Sequence, residues 1–117
     1  MGTENNTKDI LTHHLTAFGD NNLDEILKDY TEQSLIFTND GPIQGLAKIK
    51  VFFDGLFRLI PTGSSFEMIQ LSVANNVAHI IWKSSSKKAI INFGTDTFFI
   101  EDQKILFHTV AADIQII

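Results

Sequence analysis

No cysteine occurs in the 117 residues. The chain therefore has no disulfide framework, no zinc ribbon and no thiol nucleophile. Arginine occurs once, as Arg58, and 9 basic residues face 14 acidic ones, for a formal net charge of −5. A chain with that balance does not seek phosphate backbones, and nucleic acid is not expected as a partner. Apolar runs extend over only a few residues, so none spans a membrane. The first residues, MGTENNTKD, are polar and lack an apolar signal region, which predicts a cytoplasmic protein. There is no glycine-rich phosphate cradle, and adjacent His13 and His14 cannot both face one metal on a helix. Neither a metal nor a cofactor is expected.

What is present suits a globular fold. Apolar residues make up 44% of the chain, and ten of them are Phe. A chain of this length buries roughly two thirds of its unfolded surface, enough for one core, so residues 1–117 read as a single domain. Trp82 and Tyr30 are the sole Trp and Tyr.

The first half is helical in pattern. Asn5–Asn6–Thr7 offers caps for a helix over Lys8–Phe18 with an apolar stripe of Ile10, Leu11, Leu15 and Phe18. His14 interrupts that stripe, and His13 lies off it. Asn22 followed by Glu25 predicts a short second helix whose buried edge is Leu23, Ile26, Leu27 and Tyr30. A strand follows at Ser34–Thr38, then an Asn-Asp-Gly-Pro turn. The third helix, Leu46–Ile60, buries Ile49, Phe52, Phe53, Leu56 and Ile60, with Phe57 at the margin. From Ser65 onward four strands alternate with tight turns: 65–74, 77–84, 89–100 and 104–116. Helices first and strands after argue an α+β fold, an antiparallel meander with helices on one face and a ligand cavity between the layers.

Three segments carry a resemblance: AFGDNNLDEILKDYTEQSLIF at 17–37, GPIQGLAKIKVFFDGLF at 41–57, and GTDTFFIEDQKI at 94–105. In this order and spacing the chain resembles the nuclear transport factor 2-like superfamily, and within it the SnoaL-like and ketosteroid-isomerase-like members. The resemblance implies a cone-shaped, curved antiparallel or mixed sheet with three helices on its concave face. Function does not follow from that fold, which hosts isomerases, cyclases, dehydratases, hydrolases and non-catalytic binders.

Three polar residues interrupt apolar faces. His14 is either a cavity group able to hold or move a proton or a buried histidine bonded to backbone. Asp96 alternates with Phe98 and Ile100; it faces the cavity, as the resemblance implies, or points outward. His108 is a pocket group or a histidine packed under a helix. The resemblance also suggests Asp40 as a carboxylate base, although Asn-Asp-Gly-Pro is a turn in its own right. Relatives with an acid two residues beyond His108 find Val110 here, and the Asp-Arg-Asp group of an epoxide hydrolase is missing.

His14, Asp96 and Asp40 are thus the candidate catalytic residues. His108, Trp82, Phe37, Phe53, Phe57 and Phe98 are the candidate ligand contacts. Trp82 is a ligand platform or plain core, with His79 on the opposite strand face. His14, Asp96 and His108 are expected in one pocket, and Asp96→Leu is expected to keep or raise stability.

Two functions compete. The pocket binds a small hydrophobic molecule without catalysis, or it is a cofactor-independent isomerase, cyclase or dehydratase moving protons on a small carbonyl compound. A homodimer through the sheet is expected, because Thr95, Thr97, Phe99, Ile105, Phe107, Thr109 and Ala111 make an outward face too apolar for water.

Overall fold

In the computed structural model, which describes residues 3–117, nine elements follow the order helix, helix, two strands, helix, four strands. They are α1 (Thr3–Gly19), α2 (Leu23–Leu27), β1 (Leu35–Thr38), β2 (Gly41–Gln44), α3 (Leu46–Leu59), β3 (Ser65–Ala74), β4 (Val77–Ser85), β5 (Ala89–Glu101) and β6 (Lys104–Ile116). The architecture is α+β: one curved six-stranded sheet, ordered β2-β1-β6-β5-β4-β3, with the three helices on one face. β3 to β6 form the antiparallel meander, and β1 joins it parallel to β6, so the sheet is mixed.

The turns explain the hairpins. Asn75 takes φ 54° between β3 and β4, and Asp102 and Gln103 take φ 52° and 63° between β5 and β6. The short side chains of Asn75 and Asp102 tolerate that left-handed geometry at low cost, whereas Gln103 adopts it without that advantage. The curvature has a source in the strand pairing itself. Register shifts interrupt the ladders at Met68/Gln70, Trp82/Ser84, Ile91/Phe93 and Phe99/Ile100. Each bulge bends its strand and adds local twist.

α2 starts as its sequence predicts, with Asn22 Oδ1 accepting from the Glu25 backbone N–H at 3.2 Å. α3 starts at Gly45, where φ is 91° and an added Cβ would lie 3.0 Å from Glu32 Oε1. That oxygen caps the helix by accepting from Leu46 N–H at 3.1 Å. A larger residue at 45 would meet both strain and the capping carboxylate.

Three expectations need correction. α1 begins at Thr3, so Asn5, Asn6 and Thr7 lie inside the helix rather than capping it. Tertiary contacts carry the extra turn: Thr7 Oγ1 sits 2.9 Å from both the Thr3 and Asn75 carbonyl oxygens, and Glu4 Oε2 accepts from Asn75 N–H at 3.0 Å. β2 occupies residues read as the end of a turn. Its Pro42 is tolerated because β2 is the edge strand. Finally, Ile105 is not on the outward face: it is 1% exposed and its N–H donates to Asp29 O at 2.7 Å. The register skips at Leu106, which leaves Ile105 and His108 both facing inward.

Candidate active site at the cavity floor

The sheet register assembles the site. Trp82 pairs with Gly94, Asp96 with Val110, and Phe98 with His108. Trp82, Asp96 and His108 are therefore diagonal neighbours on the helix-facing side of three adjacent strands. Gly94 makes room for the indole: a Cβ there would lie 2.5 Å from Trp82 Cε2 and Cζ2.

A chain of hydrogen bonds joins these groups. Trp82 Nε1–H donates to Asp96 Oδ1 at 2.8 Å. His108 Nε2 lies 2.7 Å from Asp96 Oδ2, and the Tyr30 hydroxyl lies 2.9 Å from His108 Nδ1. A carboxylate only accepts and an indole N–H only donates. With His108 neutral, its proton sits on Nε2, and Nδ1 accepts from Tyr30. Burial, with the charges of Asp96 and Asp29 added to it, pushes the Tyr30 phenol well above its ordinary range, so it stays a donor. Tyr30 thus fixes the tautomer that presents His108 to Asp96.

His14 completes the floor. Its ring packs edge-on against Phe98, Phe53 and His108, with centroids 5.1, 5.7 and 5.8 Å away. Among the described residues its buried Nδ1 has no hydrogen-bond partner; Asp29 Oδ2 stands 3.8 Å off. Burial, reinforced by His108 and His13, holds His14 well below the ordinary imidazole range. It is a neutral ring at physiological pH.

Above these groups lies a cavity of about 170 Å³. Phe18, Phe52, Phe53, Phe66 and Trp82 form much of its wall, with aliphatic residues from α3, β4 and β6. Asp96 lines it as well, and Thr38, Asn39 and Asp40, from the end of β1 and the β1–β2 turn, add polar groups to the wall. An engineered apolar cavity of about 150 Å³ holds benzene, so this one suits a single ring with a short substituent.

Each candidate residue has a definite place. His14, Asp96, His108, Trp82, Phe53 and Asp40 border the cavity. Asp40 is exposed at the turn, its N–H donating to Thr38 Oγ1 at 3.1 Å. Phe57 lies behind the wall against Phe18 and Phe53, and Phe98 lies beneath His108, stacked at 4.3 Å. Phe37 is elsewhere. It is 43% exposed on the outer sheet face, because Ile36 takes the inward position of β1 opposite His108.

The hydrogen bonds of Asp96 reverse the expectation that Asp96→Leu keeps or raises stability. That expectation assumed an unpaired carboxylate, whereas this one satisfies two buried donors. Leucine would orphan both, at roughly 1–3 kcal/mol each.

A second polar cluster escaped the sequence reading. His13 Nδ1 contacts both Asp29 oxygens at 2.8 and 2.9 Å, and its Nε2 contacts Glu25 Oε1 at 2.8 Å. Lys28 Nζ donates to Glu25 Oε2 at 2.6 Å. Bonds to Glu25 and then Asp29 raise the His13 pKa above 6.5, while burial raises that of Asp29. The cluster ties α1 to α2 and the residues after it, next to Tyr30. The readable signal was an off-stripe histidine facing a helix rich in acids.

No protein-family model matches this chain, and no curated protein does. Solved structures do, and they define the class: the fold is that of the nuclear transport factor 2-like proteins, including SnoaL-like and ketosteroid-isomerase-like members. An NTF2-like protein of unknown function from Mesorhizobium loti is 13% identical with a TM-score of 0.81, covering 97% of this chain and 95% of its own. A SnoaL-like protein of unknown function from Burkholderia thailandensis is 15% identical at TM-score 0.74, covering 95% and 97%. A provisionally named polyketide cyclase from Sinorhizobium meliloti is 18% identical at TM-score 0.71, covering 88% and 94%. At these identities the likeness is one of fold.

Proposed function

We propose that this domain binds one small, largely apolar, ring-sized molecule in the cavity, with Asp96 as its polar anchor. The observation that supports this is a carboxylate held by Trp82 and His108 in the wall of a largely apolar space. Burying an Asp and two His in contact with such a space costs stability that a well-packed apolar core would not. Function at the site accounts for that cost.

The test uses the sole tryptophan. Titration with toluene should change Trp82 fluorescence saturably, and Trp82→Phe should abolish the signal while retaining binding by calorimetry. No response up to the solubility limit of toluene overturns the reading.

The Asp96–His108 pair favours a second reading, a cofactor-independent isomerase, cyclase or dehydratase. Asp96 would take a proton from carbon beside a carbonyl, with His108 supporting the charge change. Protein-dependent deuterium exchange into a small cyclic ketone, lost in Asp96→Asn, would select this reading. Its absence would leave binding alone.

The outer sheet face supports pairing of two copies. Phe37, Phe93 and Phe107 are 43%, 53% and 39% exposed there, and Phe99 packs against Phe107 with ring centroids 5.7 Å apart. Exposed aromatics in that density mark an interface.

A further inference from the structure

We infer that the ligand of this cavity is a small ring-bearing organic cation, a protonated amine whose N–H groups meet Asp96 and whose ring lies among the aromatic walls. This rests on the cavity-binding reading above and names the ligand class.

The hydrogen-bond inventory of the wall carries the argument. A ligand carbonyl needs donors, and most of those that border the cavity are already committed; the ring N–H of neutral His14 and the second amide N–H of Asn39 are the exceptions. Trp82 Nε1–H and His108 Nε2–H both go to Asp96, at 2.8 and 2.7 Å. The Tyr30 hydroxyl behind them goes to His108 at 2.9 Å. At the turn, Thr38 Oγ1–H donates to Gly41 O at 2.8 Å, and the Asn39 amide donates to Ala112 O at 2.9 Å. An oxyanion-stabilising site aims several free donors at the reacting oxygen; beside Asp96 this wall has spent its donors on the carboxylate itself and keeps only the His14 ring N–H.

Acceptors remain. A carboxylate offers about four lone-pair sites. Asp96 uses one on each oxygen, which leaves capacity toward the cavity it borders. Asp40 adds a second carboxylate to the wall. His14, the remaining titratable ring of the wall, is kept neutral by its burial and contributes no positive charge. Among the described residues lining the cavity there is no Lys or Arg.

Two further features point the same way. The faces of Phe and Trp rings attract cations, and aromatic cages are a recurring way to hold organic ammonium groups. The net charge of −5 raises the local concentration of cations and lowers that of anions. A carboxylate ligand would meet two carboxylates and no cation. A ketone could pair its oxygen with the His14 ring N–H at most, and would leave the spare acceptor capacity of Asp96 unused. A protonated amine on one ring satisfies the acceptors, the rings and the volume of about 170 Å³ together.

The test is a matched panel of one-ring molecules titrated against the whole chain by calorimetry: toluene, benzaldehyde, benzoate and benzylamine. Benzylamine should bind about tenfold or more tightly than toluene or benzaldehyde, as expected for a charge-assisted bond and a cation on aromatic faces, and benzoate should be weakest. Asp96→Asn should erase the benzylamine preference while toluene still binds. Asp40→Asn, a change at an exposed turn, should reduce that preference severalfold and keeps the test decisive if the Asp96 variant does not fold. Toluene binding as tightly as benzylamine, or benzaldehyde more tightly, overturns the inference and leaves the cavity-binding reading intact. If no member of the panel binds, the cavity-binding reading fails and takes the inference with it.

Discussion

Gly94→Ala tests the packing beneath the site. The added methyl would lie 2.5 Å from Trp82 Cε2 and Cζ2 and 2.9 Å from Cδ2, inside any real carbon contact. The indole cannot simply slide away, because its N–H is bonded to Asp96 and its face stacks on Phe66 at 5.3 Å and 16°. Over-packing of a core site costs about 1–3 kcal/mol. Losing a hydrogen bond to a charged group costs about 1.5–3 kcal/mol, and the two overlap because moving the ring relieves the clash. A net loss of about 2–3 kcal/mol follows, which for a chain of this length lowers Tm by about 8–12 °C. Thermal unfolding by circular dichroism gives the stability, and the single indole N–H resonance reports the bond to Asp96. Gly55→Ala is the matched control: it lies within α3, an added Cβ there meets nothing within 4 Å, and it should gain about 0.5–1 kcal/mol. A Gly94→Ala protein within about 2 °C of wild type and with an unmoved indole resonance would refute the packing argument.

Asp96→Leu should destabilise by about 2–4 kcal/mol because two buried donors lose their acceptor; denaturant unfolding measures it, and an unchanged midpoint would contradict the hydrogen-bond chain. Stability should peak near pH 6.5, the free imidazole value. His13 has a raised folded pKa, so its contribution is full below 6.5 and lost as pH rises through that folded value. His14 has a lowered folded pKa, so stability falls as pH drops below 6.5 and the unfolded chain takes up the proton. His13→Asn should flatten the alkaline limb and His14→Phe the acidic one, each read from urea midpoints across pH. Sedimentation at tens of micromolar should give twice the chain mass, and Phe107→Lys should give the monomer; a wild-type monomer contradicts the proposed pairing.

Much of this architecture is legible in the sequence, for physical reasons. The four long strands are rich in β-branched and aromatic residues and bounded by short polar turns, so β3 to β6 appear almost at their observed limits. The three helices show through their stripes. What sequence hides is whatever depends on distant partners. β2 is four residues long with a proline, too short for alternation to register. α1 starts a turn early because Thr7 and Glu4 bond the β3–β4 turn. The bulge at Leu106 inverts strand parity, so Ile105 was placed outward while His108 was placed inward.

The site divides in the same way. His14, Asp96 and His108 stand out because each breaks an apolar face, and the structure gathers them at one cavity. Tyr30 looked like plain helix packing, since its apolar ring disguises a hydroxyl whose partner lies 78 residues away in sequence. His13 and Asp29 lie outside every apolar stripe, and only the packing of α1 on α2 brings them together. The expectation for Asp96→Leu changes sign with the structure because pattern alone counts a buried charge without counting its partners.

In the proposed binding mode a ligand meets the protein at Asp96, over the Trp82 indole. The 1H–15N resonance of the sole indole N–H during titration with benzylamine reads this contact. A saturable shift of that resonance is expected, together with shifts of the Gly94, Asp96 and Val110 amides, and their loss in Asp96→Asn. Saturable shifts confined to the outer sheet face, with the indole unmoved, would contradict it.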